Sequence, residues 1–393
     1  MKKIYAIKAA MLALLLGGGY ALADEDVKVG FALALSGFIA PYDDGPYKAA
    51  QLAIDDINTK GGLLGKKLIA VASDTKSDVD VGAIAATDVI GKGARVIMVT
   101  CDFDFGAPAA IVAQSQNVFA FSSCAADPKF GVQGIGPNAY TLATATLTQG
   151  SILAEFAYKQ ANLKTAYLLT DTSGEYMKSL CASFERRFIE LAGEAGIVGK
   201  DNFHGLNDTS IAGQISRLKA SPKQPEAVMF CGAGSAGASF IRQIRATGID
   251  LPLLAGESMD GAYWLGAVPD LSNFYVLAYG SAFGNDPDAK INDFTTRFTA
   301  KFGEQPATSH ALTGYSVIEA WALAVERAGT FDTDAVRAEL DKLKDEPFLA
   351  GKTSFTPEAH INLDRPMLVF NIVNGKHEPI GRFSSEVIPE LKF

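Results

Sequence analysis

The sequence predicts an α/β protein built as two doubly wound lobes in tandem, joined by a multi-crossing hinge. Three features carry that expectation. Short apolar runs alternate with longer amphipathic stretches from residue 27 onward, the pattern of β-α-β units around a parallel sheet. The alternation pauses near residues 140–145 and then starts again. The last third adds helices and a short strand-like tail but no third alternating unit, so it is expected to be shared between the lobes.

In the first unit, residues 27–35 read as a strand. Residues 47–58 follow as a helix, with Ala50, Leu52, Ala53 and Ile57 on one face at helical spacing. The run Gly61-Gly62-Leu63-Leu64-Gly65 breaks the chain. Strands at 67–72, 96–100 and 118–122 then alternate with helices at 79–91 and 107–115. The second unit reads as helix 149–160, strand 165–170 and helix 175–195, with Phe203 opening a short polar stretch. Helix 211–220, strand 227–230, helix 236–246 and strand 253–255 complete it. In the tail, a strand at 274–279 precedes helices at 289–302, 311–328 and 333–344, and segments 352–355 and 366–373 read as a hairpin. Lobe one is therefore expected at 24–143 with 279–352, and lobe two at 144–278 with 353–393.

Residues 1–23 read as a secretory leader. Lys2, Lys3 and Lys8 give a positive start, an apolar run covers 9–16, and Ala21-Leu22-Ala23 is a small-x-small cleavage pattern. That apolar core is too short to span a bilayer. The mature chain is expected to begin at Asp24 and to work in the periplasm, without a lipid anchor, since no cysteine follows the cleavage pattern. Hydrophobic residues make up 48% of the chain and charged residues 20%, the balance of an ordered globular protein. The formal charge is −9, and it is more negative still without the leader's three lysines. Such a surface is repelled by phosphate backbones, so nucleic acid is not an expected partner.

Cys101, Cys124, Cys181 and Cys231 are too widely spaced for CxxC chemistry. Cys101 and Cys124 each end an expected strand and can meet if those strands are neighbours. A Cys181–Cys231 pair and four separate buried cysteines are the other open readings. His204, His310, His360 and His377 show no metal-ligand spacing, and no cofactor is expected.

In open α/β sheets, ligands sit beyond the carboxyl ends of the strands, and two lobes joined by several crossings form a hinge around a cleft. That rule selects residues 35–42, 100–105, 122–127, 171–176, 231–235 and 256–260. No arginine occurs in any of these segments, which argues against a strongly anionic ligand.

Four stretches carry a family resemblance: VKVGFALALSGFIAPYDDGPYKAAQLAIDDINTKGGLLGKKL, DTSGEYMKSL, RQIRATGIDLPLLAGES and TGYSVIEAWALAVERAG. From about residue 26 to about residue 370, the chain resembles the type I periplasmic binding proteins, in the leucine/isoleucine/valine-binding branch of ABC importers. The resemblance implies two α/β lobes with three crossovers, reversible capture of a small molecule without chemistry, docking on a membrane ABC permease, and a monomer. It implies that Tyr42 and Tyr176 line the cleft, that Glu257 pairs with a ligand ammonium, and that His310 lies near the ligand side chain. Two positions depart from the family pattern. Where amino-acid binders offer a serine to the ligand carboxylate, this chain has Asp102, within Cys101-Asp102-Phe103-Asp104-Phe105. Where they offer Ser/Ala-x-Thr, it has Cys124-Ala125-Ala126.

A carboxylate at position 102 facing a ligand carboxylate about 4 Å away would cost roughly 4 kcal/mol at an effective dielectric near 20. Asp102 therefore points away, or is protonated, or meets a ligand that is not a simple α-amino acid; the last is the expectation here. Asp102 and Asp104 could bind an amine or guanidinium, or cap a helix, while Asp43 and Asp44 read as helix-start acids. Tyr42, Phe103, Phe105, Tyr176 and Trp264 are candidate aromatic walls or core residues. The candidate ligand-binding set is Tyr42, Asp102, Phe103, Asp104, Ser123, Cys124, Tyr176, Ala233, Glu257 and His310, with Ser123, Cys124 and Ala233 offering backbone groups and shape. No GxSxG, HExxH or GxxxxGK[ST] motif occurs, so an enzyme is not expected. The expected function is capture of an amine-bearing, cationic or amino-acid-like molecule for ABC import. An extracytoplasmic sensor and a binder of aromatic metabolites are the alternatives.

Overall fold

The computed structural model describes residues 26–391; the leader expected over 1–23 lies outside them. A first sheet of five parallel strands runs in the order β2-β1-β3-β4-β5. Its strands are β1 (Val27–Leu33), β2 (Leu68–Asp74), β3 (Ala94–Val99), β4 (Phe119–Ser122) and β5 (Ala139–Thr141). Helices α1 (Ala40–Thr59), α2 (Val79–Gly91) and α3 (Phe103–Ser115) alternate with them. Side-chain size along β1 decides which helices cover which face. Val29, Phe31 and Leu33 pack with Ala50, Ile54 and Trp321, and Ala32 on the opposite face packs against the alanines of α2 and α3. Gly30 shares that tighter side, where a Cβ would come within 2.8 Å of Ile97 and 2.9 Å of Ala94.

The chain then passes through α4 (Thr146–Glu155), which runs on as a π-helical turn (Phe156–Gln160), into the second sheet. This sheet has the order β14-β13-β10-β9-β8-β6-β7. Strands β6 (Ala166–Asp171), β7 (Ile197–Phe203), β8 (Ala227–Cys231), β9 (Leu253–Ala255) and β10 (Phe274–Ala278) are parallel, with α5 (Glu175–Ala192), α6 (Ala212–Lys219) and α7 (Gly234–Ala246) between them. Helices α8 (Ala289–Phe302), α9 (His310–Ala328) and α10 (Thr333–Leu340) follow. A small hairpin of β11 (Glu346–Phe348) and β12 (Gly351–Thr353) precedes β13 (Met367–Val373) and β14 (Lys376–Phe383), which close the second sheet antiparallel to β10. Helix α9 returns to the first lobe and lies against α1. A side chain at Gly314 would strike the Cα of Pro46 at 2.4 Å.

Four expectations are corrected. Helix α1 starts at Ala40 rather than at 47, because Pro41 fits the first turn, where no amide donor is needed. The polar stretch near Phe203 is strand β7, an edge strand whose Lys200 and Asn202 face water. Helix α10 ends at Leu340, not at 344. The hairpin expected between 352–355 and 366–373 does not form, since β12 pairs with β11 and β13 with β14. The turn between β13 and β14 is Asn374-Gly375, with φ of 49° and 70°, the left-handed pair that a tight hairpin requires.

Three segments cross between the sheets, and Arg365 ties them together. The crossing after β5 pairs with the segment before β13: Thr141 N–H donates to His360 O at 2.9 Å, and Ala145 N–H to Asn362 O at 2.9 Å. The Arg365 guanidinium, only 1% exposed, donates to Leu142 O, to Lys352 O at 3.0 Å and to Thr353 Oγ1 at 2.7 Å. It also lies 6.0 Å from the ring centre of Tyr279, on the third crossing. Two disulfides are present. Cys101–Cys124 joins the ends of β3 and β4, and Cys181–Cys231 joins α5 to the end of β8, with Cα separations of 5.2 and 5.9 Å. Among the described residues, no helix is long and apolar enough to cross a membrane.

Replacing Arg365 with Met keeps much of the volume but strands three acceptors, two of them buried. We expect a loss of roughly 2–4 kcal/mol in urea unfolding. A change below about 0.5 kcal/mol would show that Arg365 does not hold the crossings together.

Candidate functional site

The tips of both sheets face one another across a cleft of about 480 Å³. Lobe one supplies the loop after β1, from Gly37 to Tyr42, together with Cys101, Asp102, Phe105 and Cys124. Lobe two supplies residues after β6 and β7, the start of α7, and Glu257 and Ser258. The lining contains three acids, Asp102, Asp171 and Glu257, and no Lys, Arg or His.

The floor is a buried polar cluster centred on the turn Glu257–Met259. Glu257 is hydrogen-bonded to His310 Nε2 at the start of α9 and accepts from Gln149 Nε2 at 3.3 Å. The Tyr176 hydroxyl donates to Gln149 Oε1 at 3.0 Å, and this ring reaches in because residue 256 is glycine: a Cβ there would lie 2.2 Å from the Tyr176 Oη. Asp260 accepts from Ser309 N–H at 3.0 Å and from the Ser309 hydroxyl. The Tyr42 hydroxyl, on α1, donates to Ser258 O at 2.8 Å. The turn is thus fastened to α9 and α1 by four hydrogen bonds.

Asp43 is fully buried, and its carboxylate accepts from Ala34 N–H at 2.7 Å and Cys101 N–H at 2.8 Å, so it fixes the ends of β1 and β3. Burial pushes its pKa up to about 7 against the pull of those two amides. Burial likewise raises Asp260 to about 7, opposed by His310 and Ser309. Asp102, half open to the cleft, is raised to about 7 by desolvation between the lobes and then by the neighbouring Asp104. Burial pulls His310 down, but the Glu257 carboxylate and its hydrogen bond outweigh this and raise it. Tyr42 and Tyr176 are pushed well above the ordinary range by burial and stay neutral hydroxyl donors.

Of the residues singled out from sequence, Tyr42, Asp102, Cys124, Tyr176, Ala233 and Glu257 line the cleft. The other four do not. Phe103 packs onto the core between the first sheet and helices α2 and α3. Asp104 points to lobe two, where it accepts from Glu175 N–H at 2.8 Å. Ser123 is fully buried, with no hydrogen-bond partner for its hydroxyl. His310 lies behind Glu257. Trp264, a candidate wall, is a core residue that donates to Met259 O at 3.2 Å. Met177, Gly205 and Leu206 line the cleft without having been singled out. Gly205 and Leu206 follow β7, so they could be found only once that strand was recognised. Asp102 occupies a strained backbone position (φ 76°, ψ 149°) and its carboxylate accepts from Phe103 N–H at 2.6 Å, capping α3. Cys101, Cys124 and His310 come within 4.8 Å of one another, but both sulfurs are consumed in the disulfide and His310 is held by Glu257. No thiolate is left there for a metal.

The sequence profile of the family described as periplasmic binding protein matches residues 26–377, and the chain belongs to that family. It falls among the type I periplasmic binding proteins of the leucine/isoleucine/valine-binding branch. It is 24% identical over 340 residues to the Leu/Ile/Val-binding protein BraC3 of Rhizobium johnstonii, covering 85% of this chain and 88% of that one. A leucine-, isoleucine-, valine-, threonine- and alanine-binding protein of Pseudomonas aeruginosa is 26% identical, covering 82% and 83%. Among solved structures, the substrate-binding protein LivJ of Streptococcus pneumoniae, in complex with isoleucine, superposes with a TM-score of 0.80 at 25% identity, covering 92% and 100%. An R. palustris solute-binding protein in complex with benzoate superposes at 0.77 with 18% identity, covering 93% and 98%. These homologues are substrate-binding proteins, not enzymes.

The shifted groups set a pH dependence. A carboxyl whose folded pKa lies above its unfolded value of about 4 keeps its proton longer when folded, so its stabilisation fades as pH rises toward 7. The raised His310 acts in the same direction and loses its contribution as pH rises through its folded pKa. His377, lowered by burial to about 4, opposes both below about pH 6.5, where it favours unfolding. Asp43, Asp102, Asp260 and His310 outnumber it. The thermal midpoint is expected to be higher at pH 6 than at pH 8, with a flatter slope in Asp102→Asn; a midpoint that rises toward pH 8 would contradict these assignments.

Proposed function

We propose that this protein is the solute-binding component of an ABC importer, and that its guest is a small molecule with an amine or cationic head, an apolar body and no free carboxylate beside the amine. One observation carries the reading: the cleft lining has three carboxylates and no cationic side chain. A ligand carboxylate would find no cation there and would meet Asp102, whereas an ammonium would be drawn to Asp102 and Glu257. The rest of the lining is largely apolar. Phe38 and Leu206, each 57% exposed, flank the mouth from opposite lobes and suit a hydrophobic tail. The isoleucine seen in LivJ and the benzoate seen in the R. palustris protein both carry a carboxylate, and neither suits this lining as well.

In this reading the leader at 1–23 is removed and the mature chain works as a periplasmic monomer. It performs no chemistry, uses no cofactor and hands its guest to a membrane permease. The moving bodies are residues 24–143 with 279–352 and residues 144–278 with 353–393. A second reading, a branched-chain amino acid, has one observation in its favour: Asp102, raised to about 7, could donate a proton to a ligand carboxylate.

Calorimetric titration separates the two. Phenethylamine, tyramine and agmatine are tested against leucine, isoleucine and valine at pH 5.5 and 8. The amine reading expects heat from at least one amine and none from the three amino acids at either pH. Tight leucine or isoleucine binding, strongest at pH 5.5, would replace it with the second reading. Asp102→Asn is expected to improve leucine binding by tenfold or more, since roughly 4 kcal/mol of repulsion at full ionisation is removed; unchanged leucine affinity would show that Asp102 does not set the selectivity.

A further inference from the structure

We propose that Asp104 is a positioning residue that latches the two lobes together, by capping a helix of lobe two from lobe one. Helix α5 begins at Glu175, and the residue before it is Gly174, which has no side chain to satisfy the first amides. The missing cap comes from across the cleft. The Asp104 carboxylate, in the first turn of α3, accepts from Glu175 N–H at 2.8 Å. A carboxylate at a helix N-terminus gains from the hydrogen bond and from the helix dipole together.

The surroundings are arranged for this contact. Asp102 and Asp104 divide the work: the first caps its own helix α3 through Phe103 N–H, and the second reaches α5. Both acids sit close to Gly174: a Cβ there would touch Asp102 Oδ2 and Asp104 Oδ2 at 3.4 Å each, an ordinary contact, and would press only on the flexible Met177 Cε at 3.0 Å. The loop that presents α5 is held by Asp171, which accepts from Ser173 N–H at 2.8 Å and Gly205 N–H at 2.8 Å. The Glu175 side chain turns back to lobe one and pairs with Lys129. That pair has side-chain exposures of 49% and 24%, so it adds little and is screened by salt. The cap, being charge-assisted and partly buried, is the stronger half. Every contact is between protein groups, so the latch acts whatever the guest. It biases the open–closed equilibrium directly, and through it the affinity for any guest that prefers the closed form.

The test needs no ligand. Dyes placed on exposed positions of the two lobes report the interlobe distance in dialysed mature protein by single-molecule energy transfer, with urea unfolding as a parallel measurement. Asp104→Ala is expected to raise the ratio of open to closed molecules about fivefold, the usual worth of a helix cap. Asp104→Asn should give a smaller rise, since an amide oxygen still accepts but carries no charge. Lys129→Met should change the ratio less than twofold. The urea stability of Asp104→Ala should fall by no more than the roughly 1 kcal/mol that the same cap is worth. An unchanged open fraction in Asp104→Ala would overturn the proposal. So would a lowered urea midpoint with the lobes still closed, which would make Asp104 an ordinary stabiliser of α3.

Discussion

The buried hydrogen bond between Glu257 and His310 is the constraint on which the rest of the site depends. Glu257 follows β9 in the second sheet, and His310 opens α9, which packs on the first lobe. Both side chains are almost fully buried, so removing either partner would leave a charge or a polar ring without solvent or counterpart. The same turn carries Asp260 to Ser309 and Ser258 O to Tyr42. Strand tips of one lobe and helix starts of the other are therefore registered at a single place. The cleft opens from that place toward Phe38 and Leu206.

The electrostatics of the cleft follow from where acids were placed without matching cations. Asp43, Asp102, Glu257 and Asp260 lie at or behind the floor, and His310 is the basic group among them. Burial disfavours so much negative charge, and protons on the carboxyls or an incoming cation relieve it. Arg365 does not serve that purpose. It is spent on the crossing segments, where it donates to two backbone carbonyls and Thr353. The disulfide Cys101–Cys124 lies beside Asp102 and Ala126, the places where the resemblance implies a serine and a threonine, so sulfur lines the cleft there.

Much of this was legible in the sequence because buried strands and covered helices leave strong periodic signals. The parallel strands β1, β3, β4 and β8 are apolar runs, and the strand-tip rule selects segments that contain Tyr42, Asp102, Tyr176 and Glu257. Edge strands were harder. In β7, Lys200, Asp201 and Asn202 hide the strand, and Leu206 was lost with it. In β14, Pro379 and Gly381 weaken the pattern, although Asn374-Gly375 was a hairpin signal in plain sight. Asp104 and His310 could not be assigned from sequence, because their roles depend on Glu175 N–H and Glu257, which are far away along the chain. An acid at a helix start does not reveal whether it caps its own helix or another.

The central claim is that the two lobes hold a guest with a cationic head against an acidic floor and release it unchanged. Native mass spectrometry of protein purified from its own host reads the retained guest directly. The account predicts a bound compound whose fragmentation shows an amine or other cation and no free carboxylate next to it. A bound α-amino acid such as isoleucine would contradict it, as would a carboxylate without any basic group.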